Sequence, residues 1–291
     1  MPNDNYRSYL HLHLIVFIWG FTAILGALIS LDALPLVWFR MSLAAAMIGI
    51  YLVYKKIPFL LSPQVIARFL VAGCIIALHW FTFFKAIKVS NISVTLACLS
   101  TGAFFTSLLE PLLQKKKIVW YEVFFGLLVI VGLVIIFEVE LQYKLGIALA
   151  LVSAFLSALF AVINSKFVQK HEAPVIAFYE LMGGVGFFSL LLWVSRAFTP
   201  TFFSISGSDW LYLGILSSIC TAYALINSVK IMQYLSPFTV MLTINLEPIY
   251  GIILALLIFD DKEKMSGPFY LGASLILLTV VGNAVVKKIK K

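Results

Sequence analysis

Charged residues are scarce in this chain. Asp, Glu, Lys and Arg make up 12% of its 291 residues, whereas 62% of the residues are hydrophobic. Soluble domains carry about 25% charged residues, and a chain with so few cannot cover a water-facing surface with polar groups. The composition therefore excludes an ordinary soluble protein. It predicts an all-α integral membrane protein, because helices satisfy their own backbone hydrogen bonds in lipid.

Residues that bind metals or perform catalysis are also few. Cys74, Cys98 and Cys220 lie inside apolar runs and lack the spacing of metal ligands, so we interpret them as inert core thiols. The four histidines form no HExxH motif, and the acids form no evident cluster within a span. The sequence has no G-x-x-x-x-G-K-[ST] phosphate loop. We therefore predict no metal, no cofactor, no catalytic residue and no direct use of ATP.

The net charge of +8 does not indicate nucleic acid as a partner, because the basic residues lie mostly in short runs between apolar segments. KK at 55–56, KKK at 115–117 and the C-terminal KKIKK are typical of anchors beside membrane-spanning helices. With the N-terminus inside, most Lys and Arg residues fall in cytoplasmic loops. We therefore expect a multi-pass protein of the cell (inner) membrane with both termini in the cytoplasm.

Ten apolar windows have the length of about 20 residues that a bilayer-spanning helix needs. The first window begins near Leu10, and it is too long for a signal peptide, so we interpret it as a permanent span. The connections are short and leave no soluble domain over. The predicted spans are 10–30, 34–54, 67–86, 91–113, 118–137, 145–167, 174–195, 209–232, 236–259 and 267–287.

The sequence also repeats itself weakly. At an offset of 146 residues, KVSNISVTLACLSTG (88–102) aligns with YLSPFTVMLTINLEP (234–248); at an offset of 139, LPLVWFR (34–40) aligns with APVIAFY (173–179). These two collinear blocks predict two five-helix repeats, residues 1–140 and 141–291. Because five is odd, the second repeat would be inverted in the membrane. Secondary transporters with inverted repeats bind substrate near the bilayer midplane, between the repeats.

Small and aromatic residues recur in a specific pattern in WGFTAILGALIS of the first span, AIKVSNISVTLACLSTGAFFTSLLEPLL through the fourth, and LSPFTVMLTINLEPIYGIILALLIF with GASLILLTVVGN near the end. In this pattern the chain resembles the EamA family of the drug/metabolite transporter superfamily. The resemblance implies ten helices in two inverted repeats, export of amino acids or related metabolites, and cytoplasmic termini. Where the family often has proline and a later acidic residue, the first half has Gly102 and KKK. The second half keeps both features, as Pro248 and the DDKEK run (260–264), which we interpret as a solvated loop.

Glu247 is the most prominent candidate for a functional residue. A charge at the bilayer centre costs roughly 2.5–3.5 kcal/mol or more and therefore tends to face a cavity or a partner. Pro248 follows it, and predicts a kink and an unpaired carbonyl at Ile244. On a continuous helix one stripe would hold Ser236, Thr239, Thr243, Glu247 and Tyr250. Their repeat mates are, in the same order, Ser90, Ser93, Ala97, Thr101 and Phe104. We interpret this shared face as the wall of a central cavity. The alternatives are a buried, protonated acid and simple close packing of small residues.

The remaining candidates are weaker, and each has a structural alternative. His79 would carry a proton and Trp80 would cover an amino or aromatic group of the substrate, or both would pack in the core. Arg40 would hold a substrate carboxylate, or would snorkel to the membrane surface. Glu180 would act as a gate or lie on a proton path. Further hydrogen-bonding or cavity candidates are Tyr223, Asn227, Asn245 and Trp19, whereas Lys85 and Glu110 are expected to be anchors near span ends.

We therefore predict a secondary transporter, not an enzyme, that exports small polar metabolites, with amino acids favoured, by alternating access. Proton coupling is a further hypothesis, resting on Glu247 and His79. The expected partners are a small-molecule substrate and the lipid bilayer, with the chain as a monomer or homodimer. The rival functions are a membrane-embedded enzyme or lipid-handling protein that uses the same cavity, and a passive channel.

Overall fold

The computed structural model of the chain describes residues 2–139 and 141–289. Within these ranges the chain forms helices and loops, without strands. The C-terminal lysines 290 and 291 of the predicted cytoplasmic tail lie outside the described residues. The helices are α1 Pro2–Leu28, α2 Ala33–Tyr54, α3 Pro63–Val89, α4 Ile92–Leu99, α5 Gly102–Gln114, α6 Trp120–Val139, α7 Lys144–Phe167, α8 Ala173–Val194, α9 Gly207–Ser217, α10 Ala224–Ile231, α11 Pro237–Ile244, α12 Glu247–Phe259 and α13 Gly267–Ile289.

Eight helical segments in the described residues are long and apolar enough to cross a membrane, which confirms a multi-pass membrane protein. They correspond to the predicted spans one to four and six to nine. The predicted fifth and tenth spans fall on α6 and α13, whose shorter apolar stretches are Trp120–Ile136 and Gly267–Thr279. Most observed ends lie within a few residues of the predicted ones, because the apolar windows set them.

The fourth and ninth spans are each broken in the middle. The first break lies at Ser100 and Thr101, between α4 and α5, and the second at Asn245 and Leu246, between α11 and α12. The two breaks fall at nearly the same repeat positions at the offset of 146. Pro248 explains the second break, because it lacks the N–H that would continue the helix. The first break occurs without a proline.

The eighth span contains a wider turn. Residues Ser218–Tyr223, between α9 and α10, form a π-helical turn. In such a turn each N–H donates to a carbonyl five residues earlier, so one extra residue is accommodated and the following side chains are rotated about the axis. The hydrophobic pattern of the sequence carries no sign of this turn.

Helix contacts come in pairs between the two halves. The first-half helix α3 packs on α7 and α8, and at the corresponding positions α9, the π-helical turn and α10 pack on α1 and α2. Helices α2 and α8 occupy the same position in the two repeats, and so do α6 and α13. In each of these two pairs the helices contact each other. Most of the large buried core lies among α1, α2, α3, α8 and the eighth span and around the two broken spans, whereas α6 and α13 pack in a second cluster with parts of α3, α4 and α7.

Carboxylate groups bind the N-termini of both broken spans, and each comes from the opposite half. Glu263 accepts hydrogen bonds from the backbone N–H groups of Ile92 (3.0 Å) and Ser93 (2.9 Å) at the start of α4, and from the Ser93 hydroxyl (2.9 Å). Glu110 accepts from the N–H of Phe238 (3.1 Å) at the start of α11 and pairs with Lys116 at 2.8 Å. An acid at a helix N-terminus satisfies free N–H groups and the helix dipole. We call these contacts the crossed caps.

The crossed caps correct two interpretations of the sequence. Glu263, expected as part of a solvated loop, is 5% exposed, and Glu110, expected as an anchor, is also buried. The repeat mate of Glu263 is Lys117, so the acid after the fourth span is indeed missing from its place. Glu110, about two helical turns earlier, supplies the carboxylate instead.

Candidate functional site

A central cavity lies between the helices of both halves. Its empty volume, including the part open to solvent, is about 670 Å³. Two ionisable side chains of opposite charge, Arg40 and Glu247, reach it, and most of the remaining lining is apolar or aromatic. The other lining residues are Trp19, Thr22, Ile76, His79, Trp80, Phe83, Leu99, Ser157, Phe160, Ala161, Leu225, Ser228, Met232, Met241 and Ile244.

Arg40 is buried deep in the bundle, with 1% of its surface exposed. Its guanidinium carbon lies 4.0 Å from the ring centre of Trp80, a cation–π contact that helps to hold a charge away from water. Its Nε donates to the hydroxyl of Thr221 (2.6 Å), and its Nη2 to the carbonyl of Cys220 (3.4 Å). Its Nη1 is buried and has no partner in the described part of the chain. Arg40 therefore does not snorkel to the membrane surface.

The π-helical turn supplies the groups that position Arg40. Cys220 and Thr221 both belong to this turn, and the Thr221 hydroxyl also donates to the carbonyl of Leu216 at 2.7 Å. The Cys220 carbonyl accepts a second hydrogen bond, from Nε1 of Trp19 at 3.2 Å. The wider turn thus offers a carbonyl and a hydroxyl to two cavity residues, a use that fits the frequent location of such turns at functional sites.

Glu247 begins α12, directly after the break in the ninth span, and is 5% exposed. Its carboxylate has no hydrogen-bond partner among residues 2–139 and 141–289, and it does not form an ion pair with Arg40 within 4.0 Å. Arg40 is nevertheless the charged group that acts on it electrostatically. An acid and a base therefore border one cavity without neutralising each other directly.

His79 and Trp80 lie on the cavity wall formed by α3. The Nδ1 of His79 is 2.9 Å from the carbonyl of Ser153 and 2.8 Å from its hydroxyl, so α7 fixes the orientation of the ring. The Ser153 hydroxyl in turn donates to the backbone carbonyl of His79 at 3.0 Å. His79 therefore borders the cavity and also joins two helices, as the packing alternative expected; its role as a proton carrier stays a prediction.

Of the twelve candidate residues, the structure brings five together at the cavity: Glu247, Arg40, His79, Trp80 and Trp19. Four others lie near the breaks but face elsewhere. Thr243 donates to the carbonyl of Thr239, and Thr101 to that of Cys98. Tyr250 packs against Phe17, and Asn245 lines a small separate cavity beside Phe125 and Glu122. The break separates Thr243 on α11 from Glu247 on α12, and Tyr250, although it shares α12 with Glu247, packs against Phe17 instead of lining the cavity.

The other three candidates are more distant from the cavity. Tyr223 is 40% exposed and lies 2.8 Å from Nε2 of His11. Asn227 donates to the carbonyl of Tyr223. Glu180 is fully buried and accepts a hydrogen bond from Asn164, outside the central cavity.

Several cavity residues were not expected from the sequence. The repeat itself contains a signal for some of them, because lining residues occur as mates: Thr22 with Ala161 at the offset of 139, and His79 with Leu225 at 146. The role of Thr221 depends on the π-helical turn, for which the sequence gives no signal.

Comparisons with known proteins agree with this architecture. The model of the EamA-like transporter family matches the chain twice in tandem, over residues 7–138 and 144–285. A solved crystal structure of a protein superimposes with a TM-score of 0.69, covering 96% of this chain and 98% of its own. The two sequences are 16% identical, so this likeness shows the fold alone. No curated protein matches the chain.

Proposed function

This chain belongs to the EamA-like transporter family, and we propose that it is a secondary transporter that exports amino acids by alternating access. The observation that carries the proposal is the pair formed by Arg40 and Glu247, a basic and an acidic side chain on the walls of one cavity. A secondary transporter needs a site near the membrane midplane that both halves of the chain can close. The cavity is lined from both halves, which suits this role.

The unsatisfied groups of this pair favour a zwitterion as substrate. Arg40 keeps Nη1 without a partner, and Glu247 keeps its carboxylate without a hydrogen bond in the described part of the chain. Buried charges without partners are costly, so a ligand that completes them is favoured. The carboxylate of an amino acid would bind Arg40, and its ammonium group would bind Glu247.

The rest of the cavity indicates the kind of side chain that the substrate carries. Trp19, Trp80, Phe83 and Phe160 line the same cavity as Arg40 and Glu247, together with methionine and leucine residues. Burial of apolar surface against such a wall is worth about 25 cal/mol per Å². We therefore propose that large apolar amino acids are preferred over charged ones.

We also propose that all ten predicted spans cross the membrane as two inverted five-helix repeats with cytoplasmic termini. The paired helix contacts and the two broken spans support this arrangement. In transporters of this kind, broken helices present free backbone groups at the substrate site. The cell (inner) membrane is the proposed location, and a monomer or homodimer the proposed assembly.

Counterflow in proteoliposomes tests the function. Vesicles preloaded with one unlabelled amino acid should take up the same labelled amino acid with saturation. Glu247→Gln should raise the half-saturation concentration by roughly 10- to 100-fold, because a hydrogen bond to a charged group is worth about 1.5–3 kcal/mol. The matched control is Thr101→Val, at the repeat mate of Glu247, which should change it by less than about 3-fold.

Substrate analogues separate the two charges. In the wild-type protein, an analogue that lacks the carboxylate and one that lacks the amino group should each compete poorly with uptake of the labelled amino acid. Uptake without saturation or counterflow would indicate a channel, and a modified lipid in the vesicles would indicate an enzyme. Equal effects of Glu247→Gln and Thr101→Val would contradict the role given to Glu247.

A further inference from the structure

A second buried carboxyl group lies outside the central cavity. Glu180 on α8 has no exposed surface, and its Oε1 accepts a 2.8 Å hydrogen bond from Nδ2 of Asn164 on α7. In the described ranges its Oε2 has no partner, and neither has Oδ1 of Asn164, although both atoms are buried. Nearly all buried polar atoms in native proteins are hydrogen-bonded, so two unpartnered acceptors on adjoining side chains need an explanation.

No basic group pairs with this carboxyl group in the part of the chain that the structure describes. On the helices packed against α8, Arg40 of α2 bonds to Thr221, His79 of α3 to Ser153, and Lys166 of α7 to the carbonyl of Leu113. The other basic residues of these helices and of α10 lie toward helix ends; they are Arg68, Lys85, Lys88, Lys144 and Lys230. An ionised Glu180 would be a buried charge without a counter-ion, which a membrane interior strongly disfavours. A proton on Glu180 removes that charge.

Glu180 also lies at a contact between the two halves of the chain. A Cβ atom at Gly73 of α3 would overlap the backbone carbonyl of Glu180, and one at Gly183 would overlap that of Leu70. Asn164 and Glu180 belong to the second half, whereas Gly73 and Leu70 belong to the first. The backbone of Glu180 therefore borders the contact along which the two halves would move apart, and its side chain is bonded within the second half.

We propose that Glu180 binds the proton that drives transport, at a site separate from the substrate cavity. This inference rests on the proposed transport function. In the closed contact between α3 and α8 the group is a neutral carboxylic acid. When the two helices separate, water reaches the carboxyl group, its O–H bond breaks with the electron pair left on oxygen, and the proton passes to water. A proton taken up from the opposite side restores the acid.

The test compares exchange with driven transport in proteoliposomes of the wild type, Glu180→Gln and Glu122→Gln. Glutamine imitates the protonated acid, so Glu180→Gln should keep counterflow at equal pH within about 3-fold. It should reduce accumulation driven by an acidic vesicle interior at least 10-fold, together with the proton efflux detected by an enclosed pH dye. Glu122→Gln, which alters a buried acid on α6, should keep both activities. If Glu180→Gln fails to fold, Glu180→Asp should keep driven transport with a displaced pH profile.

The outcomes distinguish this inference from the proposed function. Driven accumulation that survives Glu180→Gln would overturn the proton site, as would loss of coupling in Glu247→Gln alone. If the wild type shows counterflow but a pH gradient drives no accumulation, the proton site is overturned and the proposed transport function remains. Loss of counterflow itself in a folded Glu180→Gln variant would assign the residue a structural role and overturn the inference. Absence of counterflow in the wild type would reject the proposed function, and this inference with it.

Discussion

The fourth and ninth spans have the same architecture and different chemistry. Each is a helix of eight residues followed by a break and a helix of thirteen residues, and a carboxylate from the other half binds each N-terminus. At the break, however, the first half has Thr101 and Gly102, and the second has Glu247 and Pro248. The breaks therefore belong to the repeated fold, whereas the acidic residue beside the break is present in the second half only.

This difference teaches that the repeat constrains the backbone more than the side chains. Thr101 satisfies its own hydroxyl locally, through Cys98, and contributes nothing to the cavity wall, whereas Glu247 reaches the cavity. Arg40 is equally one-sided, because its repeat mate is Tyr179, which donates to the carbonyl of Phe59. A substrate with unlike ends suits a site whose two halves differ in this way.

We expect the largest difference in stability between the two broken spans when the crossed caps are removed. Glu263→Ala would leave three donors at the start of α4 without their carboxylate, and we expect a loss of about 3 kcal/mol in unfolding free energy. Glu110→Ala removes one backbone hydrogen bond and an ion pair, for which we expect about 1–2 kcal/mol. At roughly 2–4 °C per kcal/mol, thermal unfolding in detergent would resolve the two. Equal melting temperatures of the two variants would show that the caps are equivalent.

The two breaks should respond in opposite directions to alanine. Pro248→Ala restores an N–H that can donate to the carbonyl of Ile244, so we expect about 1 kcal/mol higher stability and slower transport. Gly102→Ala brings a Cβ within 2.5 Å of Cε of Met241, and we expect a net loss of about 1 kcal/mol. Melting temperature and counterflow rate measure both effects.

The control for the glycine is a double variant. Met241→Ala added to Gly102→Ala removes the close contact, and should therefore recover part of the loss caused by Gly102→Ala. A shift of the melting temperature in the same direction for Pro248→Ala and Gly102→Ala would contradict the view that proline maintains one break and packing the other.

The smallest effect concerns the ion pair that only the first-half cap has. Lys116 is about half exposed, so its pair with Glu110 is screened by solvent, and Lys116→Ala should cost less than about 1 kcal/mol. Added salt should weaken this contribution and leave the Glu263 cap unchanged, since Glu263 and its partners Ile92 and Ser93 are buried. A melting series in increasing salt for the wild type and Lys116→Ala measures the difference. A salt effect on Glu263→Ala that exceeds that on Lys116→Ala would contradict this assignment.

Much of the fold could be predicted from the sequence, because lipid imposes long apolar windows that are easy to locate. Pro248 predicted the kink in the ninth span, whereas the break in the fourth span, where Gly102 stands, was not predicted. The membership of the EamA-like transporter family, indicated by the pattern of small and aromatic residues, is confirmed by the tandem match. The cap provided by Glu263 could not be foreseen, because it depends on how a short loop folds back over a distant helix end.

The site was less predictable, for reasons that particular residues show. Tyr223 and Asn227 were expected to add hydrogen bonds in the cavity, but the π-helical turn adds a residue, which amounts to a rotation of roughly 100°. They consequently face away, and Leu225 and Ser228 line the cavity instead. Snorkelling was considered for Arg40 because the residue lies near a span end, whereas its contacts with Trp80 and the π-helical turn hold it inside the bundle.

The crossed caps also bear on how the protein could be assembled from pieces. Glu110 of the first half completes a helix end of the second, and Glu263 of the second completes a helix end of the first. Either half, produced alone, would lack the acid for its own broken span. Two separate polypeptides, divided in the loop between α6 and α7, would each carry the group that the other needs. The single chain is in this sense a heterodimer with a covalent linker, and its two parts are complementary rather than interchangeable.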